Sequence, residues 1–337
     1  MKRICAAILI ALILALCPAG ALGYVWNDDP EGAPLPRPNA GEIASMQAKY
    51  ANADVIGRIQ IPGTKLSYPV AQGEDNDYYL RHTLAHEETV GGTIFLDCRI
   101  GPLNRNRVLY GHRMKDGSMF ALVQRYAGKE FTRSNSRVEL TTDQGLDAYE
   151  VFATTRVQAR WVKCTRLDFE DDEQMADWLA WIKATALFET GVDVYPGDDV
   201  LTLVTCTYEF DDARQVTYAR RLRQLEPEEQ PIEYKRLPVA TGISLPDKIT
   251  LMPGQGIPIE LKVTPESASR EMVWYTTGGH IADVFYEDED PQKPVLYAFE
   301  PGEVRIEACS VNGLFATMSV IVEAPPEAEG ETEAEGE

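Results

Sequence analysis

Residues 198–222 read DDVLTLVTCTYEFDDARQVTYARRL. An apolar and β-branched run closes on Cys206, a place where a strand delivers a side chain to a rim. Arg214 follows eight positions later (214 − 206) and opens a second run, RQVTYARRL. Alternation puts Arg214 on the face of Val216 and Tyr218, away from Gln215 and Thr217, which predicts an inward-looking guanidinium. Far upstream, RVLYGH at 107–112 ends on His112 in the same manner. Two strand ends can meet across a barrel mouth although these residues lie 94 positions apart (206 − 112).

Outward from these runs the chain repeats one pattern, short apolar stretches closed by Gly, Pro or Asp. IGRIQIPGT, TIFLD, RVELTT and YEVFATTRV belong to it, and such spacing predicts a mainly β fold, a barrel or a sandwich. One helix interrupts it. Asp171 or Asp172 can cap a segment carrying Met175, Trp178, Leu179, Ile182 and Ala186 at helical spacing, with Gly191 beyond its end. Ala40 to Tyr50 predicts a shorter amphipathic helix. The charged, proline-flanked EPEEQP predicts a linker over 226–240, and a second set of strands follows over 241–323, about the size of an immunoglobulin-like sandwich.

Lys2 and Arg3 followed by ICAAILIALILALC read as an export signal over 1–23, either cleaved or kept as a membrane anchor, so the expected location is extracytoplasmic, secreted or held at the cell surface. Residues 24–39, with four prolines, predict an extended spacer, and the acidic run 324–337 a solvated, disordered tail. The net charge of −21 argues against nucleic acid as a partner. The six cysteines form no CxxC pair, so neither a zinc knuckle nor a thioredoxin-type centre is expected, while a Cys98–Cys164 disulfide stays open. His82 and His86 stand four apart without a completing ligand, and the acidic stretch Glu170 to Glu173 suits a helix N-terminus better than calcium.

Taken singly, Cys206 reads as a packed apolar residue, His112 as a turn residue and Arg214 as a solvated charge. Together the three types suit acyl transfer, in which a thiolate attacks a carbonyl, an imidazolium protonates the leaving amine and a guanidinium meets the oxyanion.

The segments NADVIGRIQIPGTKLSYPVAQGEDNDYYLRH, GGTIFLD, VLYGHRMKDGSMFALVQRY and LTLVTCTYEFDDARQVTYARRL, in this order, resemble a class B sortase, a thiol transpeptidase of Gram-positive bacteria. The resemblance spans about Ala40 to Leu225 and marks 40–225 as a catalytic domain. It implies a closed β-barrel with peripheral helices, an inserted helix near Met175 to Leu187, and catalytic roles for Cys206, His112 and Arg214. Thr205 and Tyr208, beside the cysteine, are the expected substrate-binding residues. No cofactor or metal is implied. The expected partners are exported proteins bearing a sorting motif and an amine of peptidoglycan or a pilin. Val204 stands where the family commonly has serine. A looser similarity, over VTPESASREMVWYTT and FEPGEVRIEACSVNG, links 241–323 to bacterial Ig-like domains. A secreted cysteine peptidase using water, and a non-catalytic adhesin, are the rival readings.

Overall fold

The computed structural model describes residues 39–101, 103–210, 212–287, 290 and 293–324. The expected leader, nearly all of the spacer and all but the first residue of the acidic tail lie outside the described residues. The chain divides after Arg236 into two compact units.

Eight strands close the first unit into a barrel. They are β1 (Val55–Gln60), β2 (Ser67–Ala71), β3 (Ile94–Leu96), β4 (Asn106–Tyr110), β5 (Arg137–Thr142), β6 (Gly145–Gln158), β7 (Val200–Cys206) and β8 (Ala213–Arg221), in the order β1-β2-β3-β4-β7-β8-β6-β5. Most neighbours are antiparallel, but β2 with β3 and β4 with β7 run parallel. The continuous apolar run of β7 has a simple cause. Its first six residues are all buried, so both faces are covered and period-two alternation is lost.

Four helices flank the barrel: α1 (Ala40–Tyr50), α2 (Tyr78–Arg81), α3 (Lys129–Ser134) and α4 (Asp172–Thr185). α4 starts where its sequence says, since the Asp171 carboxylate accepts from the Gln174 amide at 2.8 Å and Asp172 and Glu173 add negative charge to the first turn. Its buried stripe is Met175, Trp178, Leu179 and Ile182. Trp178 sets an edge on the Tyr218 ring of β8, 5.9 Å between centroids, and donates from Nε1 to the Lys163 carbonyl at 2.7 Å. α4 and the short 3-10 turn Val162–Thr165 therefore lie over the β8 face that carries Val216 and Tyr218, and the Tyr218 hydroxyl reaches the Cys164 carbonyl at 3.0 Å. The other face of β8 meets a 3-10 helix, Phe120–Ala127, through a Gln215 Nε2 bond to the Val123 carbonyl at 2.7 Å.

The segment expected as a linker packs on this first unit as far as Arg236. Arg223 bridges Asp198 and Glu229, the Ile232 amide donates to Val194, and the Arg236 guanidinium reaches the Ala186 carbonyl. Among the described residues the second unit is mainly β. A four-stranded sheet and a three-stranded sheet share one apolar core that includes Leu296, Ile306, Met318 and Val320, and a two-stranded ribbon completes it.

Candidate active site

The site is built from strand register. β7 and β8 pair antiparallel with Cys206 directly opposite Arg214, and the Thr207 amide bonds to the Ala213 carbonyl at 3.1 Å. Hydrogen-bonded and open pairs alternate along such a ladder, so Cys206 and Arg214 form an open pair whose Cβ atoms lie about 5 Å apart on one face. β4 lies on the other side of β7, parallel, with Tyr110 level with Val204. The Gly111 amide extends this ladder to the Val204 carbonyl at 3.2 Å. His112 is two residues past Tyr110 and Cys206 two past Val204, so they stand level at the same strand end, roughly 5 Å apart between backbones.

Each group is held locally. Gly111 allows the Phe120 ring to pack behind the histidine, because a Cβ there would meet that ring at 2.7 Å, and the Phe120 amide donates to the His112 carbonyl at 2.9 Å. The imidazole Nε2 lies 2.8 Å from the Leu80 carbonyl of α2. A carbonyl only accepts, so Nε2 carries the hydrogen and Nδ1 remains for proton exchange. Gln124 donates to the Cys206 carbonyl at 2.9 Å and fixes the end of β7. The Arg214 Nη1 rests on the Ala213 carbonyl at 3.0 Å. Cys206 is half-buried, the first residue of β7 to meet solvent.

The loop between β7 and β8 is pinned twice. Glu209 pairs with Arg156 at 2.9 Å, and the Arg113 guanidinium lies 4.9 Å from the centre of the Tyr208 ring. Tyr208 is 70% exposed and accessible to a peptide. Thr205 is 2% exposed, and alternation places its side chain on the face opposite Cys206. Sequence reasoning missed Gln124 and Leu80. The first sits in a 3-10 helix with no strong signature, and the second acts through its backbone, which no letter reports.

Cys98, Cys164, Cys206 and Cys309 form no disulfide. Burial pushes the Cys164 thiol up to about 12, which keeps it protonated. Burial also pushes the Asp97 carboxyl up, but hydrogen bonds and charge from Arg99 outweigh it and hold the group below the usual carboxylate range. Asp97 in turn accepts from the Tyr110 hydroxyl at 3.0 Å. His82 stacks on Tyr78 and His86 bonds to that hydroxyl, so the pair is occupied structurally, and no cluster of three metal-ligating residues occurs among the described residues.

A thiol, an imidazole and a guanidinium at one barrel strand end are the equipment of acyl transfer through a thioester. Residues 59–222 match the sortase domain. Sortase B of Listeria monocytogenes is 35% identical over 164 residues, covering 48% of this chain and 65% of the Listeria protein, so the chain spans just under two thirds of that relative's length. The X-ray structure of Clostridium perfringens sortase B superposes with a TM-score of 0.51 at 31% identity, over 53% of this chain and 100% of that one. A Staphylococcus aureus sortase B–substrate complex gives 0.51 at 30% identity, over 54% and 85%. The chain belongs to the sortase family.

Proposed function

We propose that this chain is a class B cysteine transpeptidase acting on exported proteins, with Cys206 as nucleophile, His112 as proton carrier and Arg214 as oxyanion clamp. The observation that carries the reading is the shared strand end, where β4, β7 and β8 bring the three side chains together. The similarity to a sortase B–substrate complex supports a peptide substrate.

In the proposed first step the Cys206 thiol passes its proton to His112 Nδ1, and the thiolate forms a C–S bond at the scissile carbonyl. Negative charge moves to the carbonyl oxygen, where the Arg214 guanidinium meets it. Collapse breaks the C–N bond, the leaving amine takes the proton from Nδ1, and a thioester remains. In the second step an acceptor amine gives a proton to Nδ1 as it attacks the thioester. The C–S bond then breaks and the thiolate recovers that proton. Tyr208 lines the peptide path, and Thr205 contributes only backbone. The acceptor is an amine of peptidoglycan or of a pilin.

The N-terminal segment holds the enzyme outside the cytoplasm, by export alone or by a retained anchor. The second unit is a bacterial Ig-like domain, a reading supported by its four-stranded and three-stranded sheets around one core. The test is a peptide-library cleavage assay read by mass spectrometry with and without added amine. A ligated product that vanishes in Cys206→Ala supports transpeptidation. Release of free acid alone, unaltered by amine, would make the enzyme a peptidase instead.

A further inference from the structure

The carbonyl that receives His112 Nε2 belongs to a four-residue helix, α2, too short to hold its own position. Its rigidity comes from elsewhere. Tyr79, the neighbour of Leu80, is fully buried and donates its hydroxyl hydrogen to Asp54 Oδ2 at 2.6 Å. The Tyr79 hydroxyl oxygen in turn accepts from Asn52 Nδ2 at 2.8 Å, and Asn52 also donates to the Leu84 carbonyl at 2.9 Å. From the other side the chain over 89–93 closes on the helix. The Thr93 amide donates to the Tyr79 carbonyl at 2.8 Å, the Thr89 amide to the Arg81 carbonyl at 2.7 Å, and the Thr93 hydroxyl to the His82 carbonyl at 2.9 Å.

Between these bonds lies Gly92, at φ +57. A Cβ at this residue would stand 2.4 Å from the Tyr79 oxygen and 2.6 Å from the Leu80 oxygen. Any side chain here must displace the acceptor of His112 or the backbone that carries it. The left-handed φ adds a second reason for glycine. Thus Gly92 sets how closely the chain approaches the Leu80 carbonyl, and Tyr79 ties the helix to the first strand's approach through Asn52 and Asp54.

We propose that Gly92 and Tyr79 are positioning residues for His112. Neither touches substrate. They fix the Leu80 carbonyl, which holds the imidazole in its Nε2–H tautomer and leaves Nδ1 to carry the proton between Cys206 and the two amines. The proposal rests on the assignment of His112 as proton carrier, and a retained tautomer is the property that a purely structural role would not require.

The test pairs Gly92→Ala with Tyr79→Phe in the full chain, each checked for a cooperative unfolding transition. Imidazole 15N shifts of the four histidines, read in ¹⁵N-histidine-labelled protein, report the tautomer of His112 without any turnover. Wild type should show Nε2–H. Both variants should mix tautomers and lose roughly a hundredfold in kcat, as for a catalytic group displaced by about an ångström, with KM nearly unchanged. Because Gly92→Ala risks misfolding at its positive φ, Tyr79→Phe carries the test alone if that variant fails to unfold cooperatively. A variant that keeps the Nε2–H signal, whether or not kcat falls, overturns the proposal. The parent assignment fails differently, through a His112→Ala enzyme that still turns over while the wild-type tautomer remains Nε2–H.

Discussion

Replacing Arg214 tests the register argument most directly, because only the pairing of β7 with β8 singles it out from Arg220, Arg221 and Arg223. Arg214 faces Cys206 across an open pair, about 5 Å away at Cβ. Its Nη1 is anchored on the Ala213 carbonyl, which orients the fork; in the proposed mechanism the fork meets the substrate oxygen. Loss of one such donor costs roughly 10²- to 10³-fold in rate, about 2.7–4 kcal/mol of transition-state stabilisation. Arg214→Ala should therefore lower kcat by that factor. Arg214→Lys should do nearly as badly, since a single ammonium cannot reproduce the planar fork. The assay is steady-state transfer of a reporter peptide to an amine, with kcat and KM separated. Arg220 is the control: it pairs with Val200, six residues further along, some 20 Å from the thiol. It is also tied to Asp198 and Glu150 at 3.8 and 3.7 Å, so Arg220→Ala should lower stability and spare the kcat of the folded fraction. If Arg214→Ala keeps more than about a tenth of wild-type kcat, less than the loss of one oxyanion donor allows, the clamp is another group and the geometric argument is wrong.

A chain ending at Arg236 should unfold with the same barrel transition as the full chain, whereas one ending at Glu229 loses the Ile232 and Arg236 bonds to Val194 and Ala186. Two such bonds are worth about 2 kcal/mol, a Tm drop of roughly 4–8 °C by calorimetry, and equal Tm values would show that 230–236 does not brace the barrel. Iodoacetamide should label Cys206 in the native protein and Cys164 only after denaturation, since burial holds the Cys164 thiol near 12. The sign follows: its folded pKa is raised, so its stabilising contribution is full below the unfolded thiol range near pH 8.5 and is lost as pH climbs towards 12. A Cys164→Ser chain whose alkaline unfolding midpoint does not rise would refute that. Trp178→Ala should cost about 3–5 kcal/mol in denaturant unfolding, because the ring is buried between α4 and Tyr218, and a loss under 1 kcal/mol would mean that α4 is not part of the core.

Strand positions were readable because short apolar runs bounded by turn residues have few other uses, and α4 because Asp171 and the Met175-to-Ile182 spacing agree. The Arg214 phase was readable too, but not its sense. Gln215 and Thr217, on the opposite face, are fully buried as well, Gln215 bonded to the 3-10 helix Phe120–Ala127 and Thr217 beside Thr154 of β6. Alternation separates two faces and cannot say which one is wet when both are covered. The same ambiguity hid the burial of Thr205. The packing of 226–236 was hidden for a different reason: its charged composition looks solvated, yet Glu229 bonds to Arg223 and Arg236 to the Ala186 carbonyl, partners that only the fold brings near.

The parallel pairing of β4 with β7 is what makes the site possible. Adjacent antiparallel strands end at opposite edges, so a hairpin alone would deliver Arg214 to Cys206 but leave His112 at the far rim. Parallel neighbours end together, and equal offsets beyond Tyr110 and Val204 bring His112 and Cys206 level. Parallel pairing requires a long crossover. Here that connection carries the Phe120–Ala127 helix, which supplies Gln124 to Cys206, and α4, which covers the neighbouring face of β8. Burial along β7 then changes at one residue: six positions are covered and the seventh, Cys206, is not. A buried thiol here would resemble Cys164, held protonated and inert by desolvation. Cys206 stands where the covering layers stop, level with His112 at the same strand end.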